Sequence, residues 1–268
     1  MKKRFFAFGC SYTNYSYATW ADFVGSNFDE YHNYGRGGAS NTYIMERVVE
    51  FNELYKFNTE TDFVIVMLSG FGRFSYYNKD WVTNGDLYSY YYNTKDAKIK
   101  GFIDHMWSEN WAIHMSWIAA KTIKQTLKNI PHKIAMSIDN RHYLETDGSK
   151  WGKEQVISET SIQKAKDIYD LLDYKESLDE YMMKNYTNND YYIWKEENNR
   201  RDGHPTQKMH FDFAKDKFPE YITEKSQNFL NYVEEIFTGS TQHKQANNFN
   251  LYTLGKLNRT KLTLFGDN

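Results

Sequence analysis

The 268-residue sequence holds one cysteine, three prolines and no excess of either charge. A lone cysteine excludes an internal disulfide framework and a thiol-rich zinc site. Lysine and arginine number 33 against 35 aspartate and glutamate. That balance excludes a wholesale nucleic-acid binder, which needs a basic excess to displace counterions from phosphates. No stretch approaches the roughly 20 consecutive apolar residues of a membrane span. Met1-Lys2-Lys3-Arg4 resembles the start of a secretory leader, but the apolar run behind it, Phe5–Phe8, stops at Gly9. A leader needs about 7–15 apolar residues there. Without a signal peptide, the chain is expected to be made and folded in the cytoplasm; where it then works, a virion included, is a separate question.

Aromatic residues are abundant: 23 Tyr, 18 Phe and 7 Trp make up 18% of the chain. That much surface to bury argues against disorder. Tyrosine and tryptophan combine a flat face with a polar tip, which suits interfaces and sugar rings. AT-rich codon usage would also raise Phe, Tyr, Ile, Asn and Lys together.

Strand and helix signals alternate along the chain. Phe5–Phe8 and Asp62–Leu68 are short apolar runs ended by glycine or serine-glycine, and Lys133–Ile138 is a third. Such runs fit strands buried on both faces of a parallel sheet. Between them, apolar residues recur at helical spacing from Trp20 to Phe28 and from Asn41 to Leu54, and one long helix is predicted from Phe102 to Asn129. Residues 31–40 read as a glycine-rich loop. Residues 146–200 lack a strong strand signal; Val156–Tyr186 reads as helices with charged faces, and the segment as an insertion or cap over the sheet or as its peripheral helices. Helices are expected over Pro205–Phe218 and Pro219–Phe237. The pattern predicts an α/β fold, a parallel sheet between helical layers, in one domain over residues 1–238. Residues 239–268 turn polar and form a C-terminal extension, either an arm for a protein partner or oligomer, or a frayed end.

Three short segments carry candidate chemistry. Gly9-Cys10-Ser11-Tyr12-Thr13 follows the first strand directly. The carboxyl ends of parallel strands form the crevice where ligands bind, and a helix entered from this turn would aim its N–H groups there. A serine needs a base to become a nucleophile. Asp202-Gly203-His204-Pro205-Thr206 supplies an imidazole with a carboxylate two residues away, which can orient the ring and stabilise its cation. Gly35-Arg36-Gly37-Gly38-Ala39-Ser40-Asn41 lets backbone approach a substrate closely, so that a peptide N–H can point at an oxyanion. The histidines show no metal-ligand spacing, and neither a metal nor another cofactor is expected. His210 is read as a helix residue packing beside the site.

Together these segments resemble the SGNH, or GDSL-like, hydrolase family. Gly9–Thr13 is similar to its first block, with Ser11 as nucleophile. Asn33–Ser40 is similar to its second, in which the glycine matching Gly38 lends an N–H to the oxyanion hole. Asp202–Thr206, followed by His210, is similar to its last. The resemblance implies the flavodoxin-like SGNH fold and a catalytic trio of Ser11, His204 and Asp202. Two features depart from it. The family's third block carries an asparagine that completes the oxyanion hole, and Phe71 stands at that place, so Asn41 or Arg73 would have to substitute. Aspartate and histidine are also one residue closer than is usual.

The implied reaction is acyl transfer from an ester, O-acetyl above all, to Ser11 and then to water. The acylated partner is expected to be a small molecule or a polysaccharide; Tyr76, Tyr77 and Trp81 belong to an aromatic stretch, residues 74–92, that should lie near the crevice mouth, where it could stack on sugar rings. The alternative is a binding or structural component with weak or lost chemistry, in a larger assembly such as a phage particle.

Overall fold

The computed structural model describes residues 1–86, 97–145, 156–191, 193–194, 200–201, 203–237 and 264. Among them, strands β1 (Arg4–Phe8), β2 (Glu30–Asn33), β3 (Asp62–Leu68) and β6 (His132–Met136) form a parallel sheet in the order β2-β1-β3-β6. The α/β class predicted from the sequence is the one observed. From β1 the chain steps outward to β2, then crosses back past β1 to β3. Right-handed crossovers therefore put the first helix, α1 (Trp20–Gly25), on one face and the second, α2 (Asn41–Tyr55), on the other. Helices α4 (Glu109–Thr126) and α5 (Glu159–Leu171) extend the α2 layer. Helices α7 (Gln207–Lys217) and α8 (Glu224–Phe237) pack with α1. The reversal of direction leaves a crevice at the carboxyl ends of β1 and β3, the position where doubly wound sheets bind ligands.

The sheet is held by aromatic burial on both faces. Phe5 stacks with Phe28, Tyr31 and Phe63 beneath Trp20 of α1. Its neighbour Phe6 points the other way, to Phe51 of α2 and to Phe57. Both are fully buried, and each such ring contributes about 2–3 kcal/mol. Arg4 and Asp62 start β1 and β3 side by side through two hydrogen bonds of 2.8 and 2.7 Å.

Several elements differ from the expectation. The loop predicted over 31–40 begins with strand β2. The helix predicted over 102–129 is two, α3 (Ala97–His105) and α4: the first ends at His105, and Ser108 caps the second by accepting a hydrogen bond from Trp111 N–H. The aromatic stretch from residue 74 opens as an antiparallel hairpin, β4 (Arg73–Asn78) and β5 (Asp80–Asp86), turning at Lys79 with φ +63°; residues 87–92 lie outside the described ones. Helices α5 and α6 (Leu178–Asn185) supply Ile162, Leu178 and Met182 to the main core. The chain from α5 into α6 bonds to β6 and the residue after it, with Asp173 N–H on Ile134 O and Asp179 N–H on Ser137 O. Two short strands, β7 (Ile193–Trp194) and β8 (Arg200–Arg201), pair where no strand was predicted. Leu264, within the stretch read as an arm or a frayed end, is buried in the main core. Among the described residues no helix is long and apolar enough to cross a membrane.

Candidate active site

The turn after β1 is fixed from all sides. Cys10 O accepts hydrogen bonds from the N–H groups of Thr13 and Asn14, closing residues 10–14 into a tight turn with Ser11 at its apex. Asn33, at the end of β2, donates to Thr13 O at 2.8 Å and accepts from Gly35 N–H at 2.9 Å. Cys10 Sγ lies 3.5 Å from Ser137 Oγ at the end of β6. The expected helix N-terminus is not at Ser11, since α1 begins only at Trp20, after Thr19 caps it. The turn itself, and not a helix dipole, sets the serine's place.

His204 Nε2 lies 3.0 Å from Ser11 Oγ, although 193 residues separate them in sequence. His204 precedes Thr206, which caps α7 by accepting from Met209 N–H. The helix thus starts two residues later than predicted, with Pro205 outside it. The half-buried imidazole is flanked by tyrosines of the serine's turn and just after it: the Tyr15 ring stacks on it at 3.9 Å, and the Tyr12 ring makes a T-shaped contact at 5.5 Å. His210, one turn into α7, is fully buried with its ring 6.5 Å from Tyr12. Burial, with the His204 charge beside it, pushes its pKa down to about 3, so it stays neutral. Asp202 lies outside the described residues.

The glycine loop abuts the same turn. Arg36 N–H bonds Gly9 O at 3.2 Å, and a Cβ on Gly35 would fall 2.8 Å from the Asn14 backbone nitrogen. Gly38 takes φ +71° in a turn closed by Ala39 N–H on Arg36 O. Its carbonyl accepts from Gly85 N–H at 3.0 Å, and Thr83 Oγ1 donates to Gly37 O at 2.7 Å. The β4–β5 hairpin therefore braces the loop that carries the predicted oxyanion donor.

Of the two substitutes for the missing asparagine, Asn41 is committed elsewhere. Its Oδ1 accepts from Ser69 N–H at 2.7 Å, and its Nδ2 donates to Ser69 O and Ser116 Oγ, each at 3.1 Å. This buried side chain bolts the end of β3 to α2 and α4 and does not swing into the crevice. Asn41→Ala should therefore lower the unfolding free energy by about 2–3 kcal/mol, by stranding the buried Ser69 groups. Denaturant unfolding checks this; a stable variant with slowed hydrolysis would instead favour an oxyanion role. Phe71 is buried against Tyr143, with its N–H held by Asn140 Oδ1 at 2.9 Å. Arg73 keeps a buried Nη1 without a hydrogen-bond partner.

Asp179 was not anticipated. It accepts a 2.9 Å hydrogen bond from the Tyr12 hydroxyl. Burial raises its carboxyl pKa to about 6, against the pull of the Tyr12 bond and of the charges on Arg73 and His204. The aromatic platform is corrected in part. Trp81 is only 5% exposed, edge-on to Tyr43 at 5.0 Å and beneath the Arg47 guanidinium. With the exposed Tyr77 it lines a groove of about 770 Å³ against α2, and neither Ser11 nor His204 belongs to that groove. Tyr76 is exposed and packs on Phe74. Among the described residues no cluster of His, Cys, Asp or Glu could hold a metal ion.

No protein-family model matches the chain, and no curated protein matches it. Solved structures that are similar include a catalytic mutant of Axe2, an acetylxylan esterase from Geobacillus stearothermophilus. It is 14% identical with a TM-score of 0.41, over 82% of this chain and 94% of that one. A second Axe2 mutant, described as an acetyl-xylooligosaccharide esterase, is 13% identical with a TM-score of 0.41, over 84% and 95%. Axe2 itself gives 14% and 0.40, over 82% and 94%. At that distance, the chemistry has to be read from this chain's own residues.

Proposed function

We propose that the protein is a serine ester hydrolase that works through an acyl-enzyme on Ser11. The observation that carries this reading is the 3.0 Å approach of His204 Nε2 to Ser11 Oγ, in the turn that follows the carboxyl end of β1. Ser11 Oγ attacks the ester carbonyl carbon as His204 Nε2 takes its proton. The tetrahedral oxyanion is held by the N–H groups of Ser11 and Gly38. Its collapse breaks the bond to the alcohol oxygen, which receives the proton from His204. Water, deprotonated by the same imidazole, then releases the acid. Asp202, two residues before His204, takes the part of the carboxylate that orients the ring, as the SGNH resemblance implies.

With Phe71 in the asparagine's place and Asn41 committed, Arg73 is the remaining side chain for a third oxyanion donor; its unpaired Nη1 supports that role. Ser11 is 6% exposed, which favours a short acyl group such as acetyl. An acetylated carbohydrate is the substrate class we favour, with Tyr15 beside the imidazole as the nearest aromatic face for a sugar ring.

Phe71 also supports a second reading, a binding component whose chemistry is slow, because one lost oxyanion donor costs about 10²–10³ in rate. Hydrolysis of p-nitrophenyl acetate separates the two. The hydrolase reading predicts turnover that Ser11→Ala removes; equal rates in both proteins would leave the binding component.

A further inference from the structure

Resting on that reading, we infer that Tyr12 and Asp179 form a brace that positions His204 for Ser11, a second support besides the carboxylate at Asp202. Asp179 is the second residue of α6, and its own N–H is bound by Ser137 O at 3.1 Å at the end of β6. Ser137 in turn donates from Oγ to Leu68 O at the end of β3. The carboxylate is thus fixed to the central sheet. It receives the Tyr12 hydroxyl at 2.9 Å, and the same hydroxyl lies 3.4 Å from Gly203 O, one residue before His204. The Tyr12 ring then meets the imidazole in a T-shaped contact, and the Tyr15 ring stacks on the same imidazole. Burial and the neighbouring carboxylate hold the Tyr12 phenol well above its ordinary pKa, so it remains a donor at every working pH.

The arrangement has a physical reason. The histidine loop carries Gly203, which has no side chain to pack, and it must still hold an imidazole to within a fraction of an ångström. A tyrosine one residue after the nucleophile, pinned by a carboxylate that the sheet itself anchors, couples the two catalytic loops through one rigid ring. Tyr12 and Asp179 are therefore positioning residues; they do not touch the reacting atoms.

Amide hydrogen exchange at Gly203, His204 and Thr206 tests the brace, read beside kcat and KM for p-nitrophenyl acetate. Tyr12→Phe keeps the ring and removes only the hydroxyl. It should speed exchange and lower kcat, each by about tenfold, with KM within about twofold. Asp179→Ala should do the same, and the double variant should be no worse than either single one. Asp179→Asn, which keeps an acceptor oxygen, should stay within about twofold of the parent. Unchanged exchange in Tyr12→Phe would overturn the brace, as would Asp179→Asn matching Asp179→Ala, since carboxylate charge alone would then be acting. Exchange is read without turnover, so an inactive parent would remove the hydrolase reading while leaving the brace tested. Ser11-dependent turnover with unaltered exchange would remove the brace and keep the hydrolase.

Discussion

His204→Gln should lower the rate of p-nitrophenyl acetate hydrolysis by at least about 10³-fold while the protein stays folded. A serine hydroxyl is a weak nucleophile at neutral pH and depends on a base at hydrogen-bonding distance. His204 Nε2, at 3.0 Å from Ser11 Oγ, is the described group in that position. The half-buried ring packs against Tyr15 and Tyr12, so glutamine removes the base at little cost in core packing. The residual rate should come from the backbone donors and substrate binding alone, as in triad enzymes lacking one member of the trio. A loss of less than about tenfold would mean that another group deprotonates Ser11.

The second large effect is on acid stability and belongs to His210. This imidazole is fully buried, and its pKa falls from an ordinary 6.5 to about 3 through burial and the adjacent His204 charge. Below about pH 6.5 the unfolded chain takes up a proton there that the folded protein refuses until about pH 3. Stability is therefore lost as the pH falls through that window. Asp179 acts in the opposite sense. Its carboxyl is raised to about 6, so the folded state binds the extra proton between about pH 6 and 4, which offsets part of the loss. Comparing wild type with His210→Phe isolates the histidine. Their difference in unfolding free energy should tilt by roughly 4 kcal/mol between pH 7 and 3.5, in favour of the variant at low pH. Parallel curves would show that His210 takes up its proton in the folded protein.

The sheet's centre was legible because β1 and β3, past Arg4 and Asp62, are unbroken apolar runs buried on both faces; β6, at the edge opposite β2, was legible from its buried Ile134-Ala135-Met136. Edge strand β2 was not, because Tyr31, His32 and Asn33 are polar by type and buried by pairing: Asn33 donates to Tyr31 Oη at 2.7 Å, and His32 stacks flat on Phe6. The broken helix was hidden by apolar residues on both sides of Ser108. At the candidate site, the pair Ser11 and His204, which the fold brings to 3.0 Å, could be singled out because each lies in a short motif after a strand or before a helix. Asp179 gave no such signal: it is ordinary in sequence as the second residue of a capped helix, and only the pairing of that chain with β6 brings it to Tyr12. Asn41 misled for a related reason. Its place beside the glycine loop suggested chemistry, whereas the Ser69 peptide groups it binds are close only in the folded chain.

Covalent labelling of Ser11 by a fluorophosphonate tests the central claim most directly. The reagent reacts with a hydroxyl only when a base activates it, and mass mapping then identifies the residue that carries the phosphonyl group. One adduct on Ser11, lost in His204→Gln, is the predicted result; no adduct, or one on a different residue, would contradict the account.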